Sequence, residues 1–274
     1  MRLEGAQGSG LRAQGSCPQP TAPSPQQVWR WAAALSVWLG AQTAAWAAGA
    51  PGVRVWLPEA ITTTAPAIDR LFYLVLWITG IVFVLVEGTL LVFLVRYRRR
   101  PGARAAYTHG NNVVEVIWTI IPALILIYLT GRSQHVWSQV RGTPPPADVE
   151  LEITAEQFAW NIRYAGPDGV LNTADDLTTI NQLHMPIGKT VLVHLKSKDV
   201  IHSFFVPQFR MKLDAVPGIT GRLWISATKT GHFEIACAEL CGLGHYRMRG
   251  FLTIESPEEF HAWIKQTLAE QASS

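Results

Sequence analysis

From Leu71 to Val95 the chain is almost unbroken apolar sequence, long enough to cross a bilayer as a helix. Val113 to Thr130 is a second, shorter apolar segment containing Pro122. Between them lie Arg96, Arg98, Arg99, Arg100 and Arg104, a concentration of positive charge that places this loop in the cytoplasm. Both outer flanks then lie on the opposite side, and residues 65–135 read as a transmembrane hairpin. Each span carries one acid. Glu87 sits deep in the first, where an ionisable group is costly and faces protein or water; a polar contact to a partner helix is its plainer role. Glu115 lies near the cytoplasmic start of the second.

The N-terminal flank supports the same topology. Residues 1–27 are rich in Gly, Gln, Pro and Ser without apolar period and read as disordered. Residues 28–48 follow the pattern of a secretory signal peptide: Arg30, the apolar run from Trp31, then Ala45-Trp-Ala47-Ala48, with cleavage after Ala47 or Ala48. A signal peptide seldom carries such a preamble, so the true start is expected downstream of Met1. The net charge of +3 hides an asymmetry. Residues 1–147 hold 12 Lys+Arg against 5 Asp+Glu, whereas residues 148–274 hold 11 against 15. The basic half suits a membrane surface and the acidic half a cationic partner. Nothing points to nucleic acid.

After the stiff Thr143-Pro-Pro-Pro linker, residues 148–256 read as β-structure. Strands are expected at 149–154, 158–164, 190–196, 203–206, 222–227 and 232–236, separated by Gly/Pro turns. Many short strands imply a sandwich or Greek-key barrel. Val191, Val193 and Leu195 share one face, leaving His194 and Lys196 outward. Ala174-Asp-Asp176 reads as an acidic solvated turn, and Ser256-Pro-Glu-Glu259 as a capping box opening a C-terminal helix and tail over 257–274. Phe260, Trp263, Ile264 and Leu268 form its apolar stripe. His184, His232, His261, Met185 and Met211 lack ligand spacing and are expected to be structural.

The chemistry concentrates in Cys237-Ala-Glu-Leu-Cys241-Gly-Leu-Gly-His245-Tyr-Arg-Met248, with His202 upstream in Asp199-Val-Ile-His202-Ser-Phe. Thiolate, thioether and imidazole together favour copper over magnesium, calcium or manganese. A mononuclear blue-copper site uses one Cys, two His and a distant Met, one thiolate fewer than this set. Two thiolates four residues apart can bridge two copper ions, leaving one His for each and Met248 as a weak end ligand. Three plainer readings compete. A helical stripe at 237, 241, 245 and 248 is disfavoured by Gly242 and Gly244, each costing a helix roughly 1 kcal/mol. A Cys237–Cys241 disulfide explains neither His245 nor Met248. Zinc makes poor use of Met.

These residues, with Val113-Val-Glu115-Val-Ile-Trp-Thr-Ile-Ile-Pro122, resemble the cytochrome c oxidase subunit II family over about residues 65–265. The resemblance implies a two-helix transmembrane hairpin plus an all-β, cupredoxin-like Greek-key domain, in a two-pass protein of the bacterial inner membrane. Its N-terminus and C-terminal domain would be periplasmic. It implies a binuclear copper-A centre of two copper ions ligated by His202, Cys237, the Glu239 backbone carbonyl, Cys241, His245 and Met248. The Glu239 side chain would reach a magnesium ion shared with subunit I. The implied function is to take electrons from a c-type cytochrome and pass them to haem in subunit I for proton-coupled oxygen reduction, with subunit III a further partner. No Cys-x-x-Cys-His occurs, so this chain binds no haem. Glu115 matches a carboxylate at the mouth of a proton path, and Asp214 one near the docking face. The family's paired tryptophans, the first of which receives electrons, fall at Phe158 and Trp160, so the first position departs from the pattern.

Three alternatives use overlapping parts. A copper chaperone shares Cys-x-x-x-Cys and a distant His, but on a thioredoxin-like fold with one span. A quinol oxidase subunit shares the architecture but lacks the ligands. A nitric oxide reductase subunit with copper A differs only in the terminal acceptor.

Overall fold

The computed structural model describes residues 56–273 except 103 and 106, together with Ser24, Gln26, Arg30, Ala33 and Ala34. The expected preamble and signal peptide therefore lie outside the described residues. Two long apolar helices precede the β-structure: α1 (Ala65–Arg96) and α2 (Asn112–Arg141). Their side chains are largely exposed, which for such apolar helices means a lipid or protein environment rather than water. Asn111 caps α2, its side-chain Oδ1 accepting from the Val113 and Val114 N–H groups. Helix α2 continues eleven residues past Thr130, where the hydropathy fell away. Its last turns carry Arg132, His135 and Arg141, polar residues that end an apolar run without ending a helix.

Ten strands follow, in two five-stranded sheets. The first has the order β3 (Leu177–Ile180), β2 (Ala159–Tyr164), β1 (Val149–Glu156), β5 (Thr190–Ser197), β8 (Gly221–Ser226). The second has β4 (Gln182–Pro186), β10 (Arg249–Glu255), β9 (Gly231–Cys237), β6 (His202–Val206), β7 (Met211–Ala215). Period-two alternation places Val191, Val193 and Leu195 fully inside, as expected, with Ile153, Trp160, Phe204, Ile235 and Leu252 in the same core between the sheets. Strands β3, β4, β7 and β10 were not anticipated. Each is short or interrupted by Lys, Asp, Gln or Gly, so its alternation is weak on its own and visible only when paired. β1 pairs with β5 and β10 with β4 in parallel, whereas the other pairings are antiparallel.

The C-terminal helix α3 (Pro257–Ser273) opens with the expected box: the Glu259 N–H donates to Ser256 Oγ at 3.2 Å, and the Ser256 N–H donates to Glu259 Oε2 at 3.0 Å. It seats Phe260 and Trp263 against the sandwich, where Trp263 stacks on His184 with ring centroids 3.8 Å apart. His184 also meets Glu255 at 2.9 Å, and His232 meets Thr253 Oγ1 at 3.1 Å. The turn at Asp175-Asp176 departs from its expectation. Asp176 is not solvated but buried, accepting from the Asn172 N–H at 2.7 Å and from Arg163 at 3.3 Å.

The helical hairpin is tied to the sandwich at two places. Ile61, just before α1, is fully buried in the sandwich core, its N–H donating to the Gln208 carbonyl and its own carbonyl accepting from the Thr228 N–H. Arg210 closes the β6–β7 connection in left-handed backbone conformation. Its guanidinium donates to both oxygens of Asp69 on α1, at 2.6 and 3.2 Å, and to the Pro58 carbonyl. The Arg210 side chain is nearly buried, so removing its counter-charge strands a cation. Asp69→Ala is expected to cost about 3 kcal/mol, read as lowered thermal stability of the full chain in detergent. A loss no larger than that of an exposed pair such as Lys189–Asp148 would show that the contact contributes little.

Candidate metal centre

Strand pairing brings the distant histidine to the loop. Phe204 of β6 lies opposite Cys237 at the end of β9, and His202 sits two residues away on the same face as Phe204. The loop from Ala238 to Met248 leaves β9 and returns in β10, closed at its base by the Cys237 N–H donating to the Met248 carbonyl at 3.3 Å. The Ala238 N–H donates to the Ser203 carbonyl and pins the loop to β6. Gly242 adopts φ +133, a conformation that side-chain-bearing residues rarely adopt. Gly244 is required for a different reason: a Cβ there would lie 2.5 Å from the Phe158 ring.

The donor atoms converge. Cys237 Sγ and Cys241 Sγ are 3.9 Å apart, close enough for both to lie within a metal–thiolate bond of about 2.3 Å of one ion. His202 Nδ1 is 4.0 Å from Cys237 Sγ, and His245 Nδ1 is 3.6 Å from Cys241 Sγ. Met248 Sδ lies 3.7 Å from Cys241 Sγ, and the Glu239 carbonyl oxygen 3.2 Å from Cys237 Sγ. His202, Cys241 and Met248 are buried, while Cys237 and His245 are partly exposed. All six expected donors are thus brought together, one imidazole beside each sulfur. Soft sulfur and imidazole fit copper. Burial and the neighbouring Cys237 push the Cys241 thiol up to about 11, so the metal-free loop keeps its proton and metal uptake displaces it.

Two residues that ligand spacing does not single out hold this geometry. Asp199 accepts from His202 Nε2 at 2.8 Å, which turns Nδ1 of that ring toward the sulfurs. Its other oxygen accepts from the Gln157 N–H at 2.8 Å, and the Gln157 side-chain amide donates to the Cys241 carbonyl at 2.5 Å. Burial works to raise the Asp199 carboxyl, but the bonds from His202 and from the Gln157 and Val200 N–H groups outweigh it and hold it below the usual range. The only hint in the sequence was the nearness of Asp199 to His202.

The remaining candidate residues divide. Phe158 is part-exposed, its ring against the backbone of Gly242 and Gly244. Trp160 is fully buried, edge-on to His202 (centroids 6.3 Å) and Phe204 (5.7 Å). Burial leaves Trp160 no surface that a partner protein can touch. Asp214 is committed to Ser203 Oγ at 2.7 Å and Lys212 Nζ at 3.0 Å, and those two bonds hold its carboxyl below the usual range. Glu156 pairs with Lys198 at 2.6 Å and Glu152 with Lys196 at 2.5 Å. These two acids are thus each paired with a lysine. The surface over the loop is instead apolar, with Leu240, Leu243 and Tyr246 strongly exposed. The Glu239 side chain is exposed on the same loop. Glu115 lies in the first turn of α2, at the end of the hairpin that bears the arginine-rich loop.

A helical membrane hairpin carrying a β-sandwich with a Cys/His/Met loop defines a membrane-anchored, cupredoxin-like metalloprotein. Residues 163–255 match the family model for the periplasmic domain of cytochrome c oxidase subunit II, and residues 50–136 match that for its transmembrane domain. The chain belongs to the cytochrome c oxidase subunit II family. It is 35% identical over 233 residues to the alternative cytochrome c oxidase subunit 2 of Bradyrhizobium diazoefficiens, covering 77% of this chain and 83% of that relative. It is 33% identical over 258 residues to cytochrome c oxidase subunit 2 of Thermostichus vulcanus, covering 78% and 79%. Among solved structures, the periplasmic domain of subunit II of the cytochrome oxidase of Bradyrhizobium japonicum aligns at 29% identity with a TM-score of 0.42, over 47% of this chain and 99% of that one. The two apolar helices and the sandwich do not match a chaperone with one span and a thioredoxin-like fold.

Proposed function

We propose that this chain is the electron-accepting subunit of a bacterial respiratory oxidase, holding two copper ions between Cys237 and Cys241. His202, His245, Met248 and the Glu239 carbonyl complete the set. Bound copper supplies one-electron chemistry. The protein's part is to hold the six donors at fixed positions, through the β9–β10 closure, the Ala238–Ser203 bond and the Asp199–Gln157 clamp, so that little needs to move as charge changes. The observation that carries the reading is the pair of sulfurs 3.9 Å apart with one imidazole beside each. The names of the relatives favour oxygen over nitric oxide as the terminal acceptor.

The donor is read as a c-type cytochrome meeting the surface at Phe158, and the acceptor as haem in subunit I, with subunit III also in the complex. Asp214 is retained only as a flanking contact. The arginine-rich loop orients the hairpin in the inner membrane with the sandwich in the periplasm, and Glu115 then stands at the cytoplasmic face, where it serves as the mouth of a proton path. The exposed Glu239 carboxylate supplies at most part of a magnesium site. An ion that favours six oxygen ligands needs the rest from subunit I and water.

The test is the full chain, purified with copper from membranes. Two coppers per chain and a mixed-valence electron paramagnetic resonance spectrum are expected; one copper with a type-1 spectrum overturns the binuclear reading. A second outcome follows from the clamp. Asp199→Ala frees the His202 ring, and copper affinity is expected to fall about 10- to 100-fold, measured by competition with a chelator. Unchanged affinity would mean that packing alone orients His202.

A further inference from the structure

Away from the metal loop, a cleft of about 240 Å³ opens where the helical hairpin meets the sandwich. Ile68 and Leu71 of α1 and Val136 and Val140 of α2 give it apolar walls, while Arg141 and Lys212 stand at its head. Its depth in the membrane follows from length. Helix α2 spans about 45 Å at 1.5 Å per residue, against a hydrocarbon layer of about 30 Å. The turns beyond Thr130 therefore stand in the headgroup layer, where Trp137 is exposed as an interfacial tryptophan would be. The cleft thus lies at the boundary where the hydrocarbon gives way to the layer of lipid phosphates, with Leu71, the first residue of the apolar run, on its membrane side.

Its charges do not balance. Arg210 is matched by Asp69, and Lys212 by Asp214. The Arg141 guanidinium is fixed in place by the Lys212 carbonyl at 3.0 Å and the Arg222 carbonyl at 3.4 Å, and lies 5.9 Å over the Trp137 ring. Among the described residues it forms no direct ion pair, its charge reaching Asp214 only at longer range. A cation aimed and braced by neutral acceptors, above an apolar slot that continues into the bilayer, is complementary to one negative headgroup with an attached acyl chain.

We propose that this cleft binds one anionic phospholipid of the outer leaflet, its phosphate on Arg141, with Lys212 at the rim, and its acyl chain along Leu71 and Val136. The lipid then bridges helix and sandwich beside the Arg210–Asp69 contact. This rests on the reading of α1 and α2 as membrane-spanning, which partition of the chain into neutral vesicles checks separately.

The experiment is native mass spectrometry of the delipidated full chain titrated with phosphatidylglycerol, phosphatidylcholine or inorganic phosphate. One phosphatidylglycerol per chain is expected, retained at least about tenfold more tightly than phosphatidylcholine, whose phosphate is the same but whose quaternary ammonium is repelled by Arg141 and Lys212. Arg141→Gln should abolish that preference, Lys212→Gln should weaken it, and Leu71→Trp should block both lipids by filling the slot. Arg100→Gln, at the opposite end of the hairpin, should change nothing. Unchanged near-ultraviolet circular dichroism in Lys212→Gln and Leu71→Trp keeps the result readable if Arg141→Gln does not fold. Equal binding of the two lipids overturns the proposal. So does displacement by inorganic phosphate with Leu71→Trp unaffected, which leaves an anion site only. Absence of the lipid from the complex purified from membranes also overturns it, assigning the cleft to a neighbouring subunit.

Discussion

Cys241→Ser is expected to abolish the binuclear centre: copper falls from two per chain to one or none, and the mixed-valence signal disappears. Cys241 is the middle of the donor set. Its sulfur is 3.9 Å from Cys237 Sγ, 3.6 Å from His245 Nδ1 and 3.7 Å from Met248 Sδ. A serine hydroxyl there is harder, and neutral at physiological pH, so it does not replace a shared thiolate. Met248→Leu tests the other extreme. Met248 is buried, and a swap that conserves volume costs less than about 1.5 kcal/mol of stability. Both coppers should stay, with a changed reduction potential. Copper content measured by atomic absorption on the two variants decides the matter. Full copper in Cys241→Ser would remove the bridge from the proposal, and equal loss in both would make Met248 a principal ligand rather than a weak one.

The parts of this design that could be read in advance are those whose chemistry is carried by side-chain type within a short span. Two thiols, a histidine and a methionine in twelve residues announce a soft-metal loop before any fold is known, and Leu71–Val95 announces a helix by composition alone. Strands β1 and β5 were readable because Leu151, Ile153, Val191, Val193 and Leu195 alternate cleanly. Strand β7, Met211-Lys-Leu-Asp-Ala215, alternates too, but between residues that suit a turn equally well. Its identity depends on β6 beside it. The end of α2 was lost because hydropathy reports the solvent around a helix, not the helix. Asp199 and Gln157 were illegible for a deeper reason. An Asp in a turn and a Gln before a strand are ordinary until the fold sets one oxygen 2.8 Å from His202 and one amide against the Cys241 carbonyl. Ile61 belongs with them, since nothing in the sequence just before the first apolar run says that this residue completes the core of a sandwich that begins almost ninety residues later.

Phe158→Ala is expected to slow reduction of the copper centre by a c-type cytochrome roughly thirtyfold, the effect of losing a central aromatic contact worth about 2 kcal/mol. The copper spectrum should stay normal. The ring is part-exposed to a partner on one side and lies against the loop backbone at Gly242 and Gly244 on the other, so it touches both. Trp160 cannot substitute, being sealed in the core behind it. Phe158→Trp keeps an aromatic face and should retain most of the rate. Gly244→Ala supplies an independent route to the same result: its Cβ would meet the Phe158 ring at 2.5 Å and push it off the loop. Salt then separates contact from attraction. The acidic excess first suggested strong steering of a basic donor, yet Glu156, Glu152 and Asp214 each hold a lysine within 3.0 Å, and the loop presents Leu240, Leu243 and Tyr246. Paired surface charges steer weakly and are screened beyond about 8 Å at physiological ionic strength. Stopped-flow rates for the wild type should therefore fall by less than about threefold between low and moderate salt, while the Phe158→Ala deficit persists at both. A steep salt dependence with little effect of Phe158→Ala would place recognition on the acidic face after all, and electron transfer through another part of the loop.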